Sequence, residues 1–208
     1  MKNKIIRTCM ALLGIVIAGL SVGVIRHANF GIDPFQSFVT GVLLKTPLSF
    51  GTLYSIINAL LLIGILFLDK HYIGISTIIN LFLIGYIVEF GYSGMQVMLP
   101  EPVMWLRIVL LVVGFIVLCV GSSFYITADI GVSTYDAIAL VMSDRKIAKF
   151  QYCRIFTDII CVIVGFLLGA KIGVGTVMTA FCMGPFIAFF RGKITDPLLV
   201  RFEVNKCY

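Results

Sequence analysis

Charge is scarce in this sequence. Charged residues make up 12% of its 208 positions, against roughly 25% in soluble domains. That deficit excludes an ordinary soluble domain. A soluble protein with an unusually apolar core fails on the same ground. Sixty percent of the residues are hydrophobic and the mean hydropathy is +1.09, more apolar surface than a chain of this length can hide from water.

Paired metal ligands are also missing. The six cysteines (Cys9, Cys119, Cys153, Cys161, Cys182 and Cys207) form no CxxC pair, and most fall in apolar stretches, where a thiol acts as small apolar filler. His27 and His71 stand alone, so no metal site is expected. P-loop, HExxH and GxSxG signatures are absent, as is any tight grouping of acid, base and nucleophile. No enzymatic activity, catalytic residue or cofactor is therefore expected.

Long apolar runs are what the chain has instead. Segments 8–25, 50–68, 72–88, 108–128 and 172–190 contain no Asp, Glu, Lys or Arg, and 155–170 contains only Asp158. A membrane-crossing helix needs about 20 apolar residues. Flanking residues complete the shorter runs, so six transmembrane helices are expected. Backbone polar groups in lipid must bond internally, which favours helices. The alternating ten-residue segments of a β-barrel are not seen. The first run follows Lys2, Lys4 and Arg7 but exceeds the usual core of a signal peptide, and reads as a retained helix.

The net charge of +6 reads as topology rather than nucleic-acid binding. With the N-terminus inside and six crossings, twelve of the 16 Lys and Arg lie inside, and Arg26, Lys45, Arg107 and Lys171 lie outside. Both termini are then cytoplasmic.

The chain also repeats itself. At an offset of 100, Arg7 matches Arg107, Gly14 matches Gly114, Ala28 matches Ala128, Gly31 matches Gly131 and Phe50 matches Phe150. Asn58 falls on Asp158. After one deletion Gly74 matches Gly173, Thr77 matches Thr176, Gly85 matches Gly184 and Phe90 matches Phe189. Each half carries three spans, an odd number, so the second half enters the membrane from the opposite side. The expected fold is an all-α membrane protein of two inverted three-helix repeats, the plan of many secondary transporters. The expected divisions are a first repeat at 1–92, an exterior linker at 93–104, a second repeat at 105–190 and a basic cytoplasmic tail at 191–208 lying on the anionic inner surface.

A short additional helix is expected after the first span of each half. Asp33 caps the first, with Pro34 at its first position. Ser133 caps the second, and Asp136 three residues on suggests a capping box. Gly31 and Gly131 permit the reversal before each. These helices either lie flat at the interface or dip inward. If they dip, their N-termini offer N–H groups to a shared cavity.

Polar residues at membrane depth need partners or a purpose. The candidates for a solute-binding site are Asn58, Asp158, Gln36, Asp136, Asn80, Thr179, Asp33 and Ser133. Arg154 stands four residues before Asp158, so an ion pair on one helix face is the plain alternative to a solute or proton site there. Glu89 either reaches the interface or serves the site. Tyr54 and Tyr135 belong either to a polar cavity or to the interfacial aromatic belt. Gly165 and Gly169 form a GxxxG pair that serves helix packing or a dimer face, which leaves a homo-oligomer open.

The doubled phrase, Gly31-Ile32-Asp33-Pro34-Phe35-Gln36 and Gly131-Val132-Ser133-Thr134-Tyr135-Asp136, resembles the small bacterial YczE/YyaS/YitT membrane proteins over about residues 5–190. The resemblance is to the YczE type, without the extra soluble C-terminal domain of YitT-type members. It implies a multi-pass protein of the bacterial cytoplasmic membrane and assigns no activity. Two functions stand: a transporter of a small solute or proton with a polar site between the repeats, and a non-transporting accessory protein that binds another membrane component.

Overall fold

The computed structural model describes residues 2–31, 33–48, 50–68, 73–170 and 172–204. Ile32, His71, Lys70, Lys171, Lys206 and Cys207 lie outside the described residues.

Every element among the described residues is helical. The order is α1 (Lys2–Ala28), α2 (Pro34–Leu43), α3 (Phe50–Leu68), α4 (Ile75–Met98), α5 (Met104–Ala128), α6 (Thr134–Asp144), α7 (Phe150–Leu167) and α8 (Val174–Phe190), then one π-helical turn (Arg191–Thr195) and α9 (Asp196–Val204). Among the described residues five stretches are long and apolar enough to cross a bilayer: Ile5–Ala28, Ser76–Met98, Met104–Ala128, Phe150–Leu167 and Val174–Phe202. Thr52–Leu68 is apolar but shorter. The outward faces are apolar, with Phe82, Phe90, Trp105 and Phe166 all more than half exposed. That surface suits lipid and not water.

The centre of the molecule is α1 packed along α5. Small residues allow the approach: a Cβ at Gly14 would stand 2.6 Å from Tyr125 N, and one at Gly121 would stand 2.7 Å from Ala18 N. Ala11, Ile15 and Ala18 of α1 join Leu111, Phe115 and Leu118 of α5 in one buried cluster. α4 covers another side of α1, and α8 covers another side of α5.

The two short helices begin as their sequences predict. Asp33 accepts a hydrogen bond from Gln36 N at 3.2 Å, with Pro34 at the start of α2. Ser133 accepts from Asp136 N at 3.1 Å, and its hydroxyl donates to Asp136 Oδ2 at 2.8 Å. The reversal before each uses the left-handed region twice, at Asn29 (φ 58) and Gly31 (φ 111), and at Asp129 (φ 53) and Gly131 (φ 110). Each reversal docks on the start of a distant helix. Gly175 N donates to Phe30 O at 2.8 Å, and Ser76 N donates to Ile130 O at 3.2 Å. These bonds hold the short helices inward, against α7 and α3, rather than flat on a surface.

Two connections differ from the sequence expectation. α4 continues to Met98 and stops just before Pro100, so only 99–103 separates it from α5. Residues 93–98 contain no proline, and a single glycine, Gly94, does not stop a helix, whereas the position before a proline is the natural stop. His27 Nε2 lies 2.8 Å from Leu99 O at this corner. The expected tail is helical through Val204. Pro197 occupies the first turn of α9, where a missing N–H costs nothing, and the π turn absorbs the change in register. Thr195 is fully buried, its hydroxyl 2.8 Å from that of Thr127, which donates to Asp196 Oδ1 at 2.9 Å. The last segment is thereby fastened to the end of α5.

Candidate functional site

A cavity of about 110 Å³ lies where α2 and α6 meet α1, α3, α4, α5 and α7. Its polar lining comes from Asp33 and Gln36 at the start of α2, Ser133, Thr134, Tyr135 and Asp136 at the start of α6, Tyr54 and Asn58 of α3, Thr77 and Asn80 of α4, Ser122 and Tyr125 of α5, and Arg154 of α7. Ala18, Val22, Ile84 and Leu118 supply apolar wall.

Arg154 organises the charge. It is 2% exposed. Its Nη1 meets Asp136 Oδ1 and its Nε meets Asp158 Oδ2 at 3.2 Å. Its guanidinium carbon lies 4.5 Å from the centre of the Tyr135 ring, and Nη2 lies 3.7 Å from Met183 Sδ. Tyr135 in turn donates to Asp158 Oδ1 at 2.5 Å. One guanidinium thus links two carboxylates and an aromatic face. Such a network is costly to assemble and costlier to break by removing one member.

Six of the eight expected site residues line this cavity: Asn58, Gln36, Asp136, Asn80, Asp33 and Ser133. Asn58 bridges two elements, accepting from Thr134 Oγ1 at 2.6 Å and donating to Tyr54 O at 2.9 Å. Asp158 is fully buried and pairs with Arg154, as the four-residue spacing predicts, but sits behind the guanidinium and outside the lining. Thr179 is also outside. Its hydroxyl donates within its own helix to Gly175 O and Thr176 O, both at 3.0 Å, and it borders a small adjoining void with Asp33 and Gln36. Glu89 is at a rim, 3.4 Å from Arg26.

Sequence reading missed Thr134, Ser122 and Tyr125. Thr134 stands beside the capping Ser133, so its place in the doubled phrase was an available signal. Ser122 and Tyr125 carry none, because a lone hydroxyl on an apolar helix shows which way it faces only once the helix is packed. At each helix N-terminus the capping side chain takes one first-turn N–H, that of Gln36 by Asp33 and that of Asp136 by Ser133.

Beyond the cavity a crevice of about 570 Å³ opens between α1, α3 and α4. Val22, Gln36, Tyr54, Leu81 and Ile84 line both spaces, so the cavity continues into the crevice, which ends at Arg26 and Glu89. Along it α3 and α4 stand apart, and a Cβ added at Gly85 meets nothing within 4 Å. α7 and α8 differ: they pack together, and a Cβ at Gly184 would stand 2.8 Å from Gln151 O. Gly165 serves packing within the chain, against the backbone of Ser37 and Phe38.

Long apolar helices around a buried polar cavity define an integral membrane protein of the α-helical class. The chain matches the DUF6198 family, a family of unknown function, over residues 5–192, and belongs to it. It is similar to the uncharacterized membrane protein YczE of Bacillus subtilis, with 22% identity over 191 residues, 90% of this chain and 86% of the relative. The uncharacterized protein YyaS of the same organism is 19% identical over 194 residues, 93% of this chain and 94% of the relative. An uncharacterized protein of Haemophilus influenzae is 23% identical over 192 residues, 92% of this chain and 86% of the relative. The resemblance read from the doubled phrase is thus met by two proteins it pointed to. No solved structure matches the chain.

Proposed function

We propose that the protein carries a small solute across the bacterial cytoplasmic membrane by alternating access, with six spans in two inverted three-helix repeats and both termini in the cytoplasm. The observation that carries this reading is the unequal packing of two equivalent helix pairs. α3 and α4 correspond to α7 and α8 by the repeat, yet the first pair is parted and the second closed. In a carrier built from inverted repeats, each half adopts in one state what the other adopts in the opposite state.

Reciprocal contacts support the two-fold relation. Gly14 faces Gly121 and Tyr125, while its repeat partner Gly114 faces Ser21 and Ile25, the partners of those two residues. The bonds Gly175 N to Phe30 O and Ser76 N to Ile130 O are likewise exchanged. Self-complementary contact of this kind is what a two-fold axis produces. With the N-terminus inside, Arg26 and Glu89 lie toward the exterior, so the crevice faces outward and the closed pair seals the cytoplasmic side. Asp158 then acts by holding Arg154 and Tyr135 rather than by touching the solute.

The test is disulfide trapping in a cysteine-free background carrying Ser55→Cys and Gly85→Cys, one on each side of the crevice. Oxidation in native membranes is expected to join them, because closure brings Gly85 onto α3 as Gly184 sits on α7. Two thiols that both react with maleimide but never join would mean a rigid groove. That result would favour the accessory-protein reading.

A further inference from the structure

Resting on the carrier reading, we propose that the solute is a small organic cation, an ammonium compound of a few carbons, met by the carboxylates of Asp33 and Asp136.

Charge comes first. The network holds three carboxylates, Asp33, Asp136 and Asp158, against the single guanidinium of Arg154. The formal sum is −2. Among the described residues no other Lys, Arg or His lines the cavity. Arg154 is fully engaged: its Nη1 is on Asp136, its Nε is on Asp158, and its face is over Tyr135. Asp33 lines the cavity and feels the charge of Arg154, but among the described residues no Lys or Arg stands within ion-pair distance of it. The N-terminus of α2 behind it and that of α6 behind Asp136 stabilise negative charge with partial dipoles but do not cancel it. An anion entering here meets repulsion at short range in a poorly screened space, and a cation meets attraction.

Unpartnered polar groups are the second, independent observation. Asn80 is 6% exposed and Ser122 is 2% exposed, and both line the cavity. Among the described residues neither side chain forms a hydrogen bond with the protein, although buried amides and hydroxyls almost always do. Both belong to the cavity wall, so N–H groups of a ligand in the cavity can bond to their oxygens. A ligand with N–H groups satisfies both them and the carboxylates.

The walls decide what kind of cation. Ala18, Val22, Ile84 and Leu118 are apolar, and Tyr54 stands at the junction of cavity and crevice. A hard metal ion requires an all-oxygen shell of six or more ligands, which this half-apolar lining does not provide. An alkylammonium places its carbons on those walls and its charge on the carboxylates. Passing Tyr54, it also gains from the ring face.

The experiment is thermal unfolding of the purified full chain titrated with methylammonium, ethylammonium and tetramethylammonium chloride. Sodium acetate and urea serve as anionic and neutral probes. At least one ammonium is expected to raise Tm by about 3 °C near saturation, the size a single-site ligand gives a chain of this length. Asp33→Asn should abolish the shift while leaving the unliganded Tm near wild type, because Asn caps a helix about as well as Asp. Asn80→Ala should reduce it. Stabilisation by acetate or urea, or no shift with any ammonium, overturns the cation assignment and leaves the carrier reading to its own disulfide test. A full shift retained in Asp33→Asn also overturns it. An ammonium shift that depends on Asp33, in a protein whose Ser55→Cys and Gly85→Cys thiols never join, leaves the cation site standing and overturns the carrier reading.

Discussion

Phe35 and Tyr135 stack on one another, ring centroids 4.8 Å apart and planes within 20°. They are the same position in the two halves of the repeat, one hundred residues apart. The stack joins the two short helices, and Tyr135 continues from it to Asp158 and Arg154. Under the proposed inverted-repeat arrangement, the two-fold axis passes between these two rings. The stack also couples the reversal of one half to the charge network of the other.

Arg154→Ala is expected to be severely destabilising. It leaves Asp136 and Asp158 buried without a counter-charge, a class of change that costs about 3–5 kcal/mol. Arg154→Lys should recover only part, since a single ammonium cannot serve two carboxylates as a planar fork does. Thermal unfolding in detergent ranks the three. A Lys variant as stable as wild type would show that the fork geometry is unimportant.

Gly31→Ala and Gly131→Ala should each cost at least 1–2 kcal/mol, the usual penalty of a side chain in the left-handed region. Both lie near φ 110, and a Cβ at Gly31 would also press on Gly173 Cα at 2.9 Å. Gly64→Ala is the control, because nothing lies within 4 Å of its would-be Cβ. It should be neutral or slightly stabilising. Expression level and Tm of the purified variants decide.

Gly85→Leu and Gly184→Leu should separate stability from movement. A side chain at 184 collides with Gln151 of α7, whereas one at 85 enters open crevice. Gly184→Leu is expected to lower Tm by several degrees. Gly85→Leu should keep its Tm and lose exchange of labelled solute in proteoliposomes, because it wedges α3 from α4. Full exchange in Gly85→Leu would show that the crevice does not close.

Thr134→Val removes the donor to Asn58 Oδ1 in a buried site. An unsatisfied buried group costs about 1–3 kcal/mol. The double variant Thr134→Val with Asn58→Leu should recover much of that loss, and a thermodynamic cycle on Tm measures the coupling. Additive losses would mean that the bond contributes little.

Cutting the chain after Phe190 should destabilise the fold, although the sequence reads as a polar tail from there on. Thr195 and Leu199 are buried, and Asp196 bonds to Thr127. A lower Tm in the truncated protein, matched in direction by Thr127→Val, is the expected pair of results.

Much of this was legible along the chain. Apolar runs free of charge marked the helices because lipid tolerates no unpaired backbone and few ionised groups. Asp33 with Pro34, and Ser133 with Asp136, marked the short helices because capping is local chemistry within three residues. The spacing of Arg154 and Asp158 marked their pairing because one helical turn brings them together. What folding alone decided is long-range. Arg154 also meets Asp136, eighteen positions away on another helix; Asp158 is turned away from the cavity while Asn80 and Ser122 face it; and residues after Phe190 fasten to Thr127. The unequal opening of α3–α4 and α7–α8 was also hidden, because two halves with matching residues carry the same local preferences. Local rules set each helix and its caps, whereas the direction a side chain faces, and which of two equivalent gaps is shut, depend on how all the helices share one limited interior.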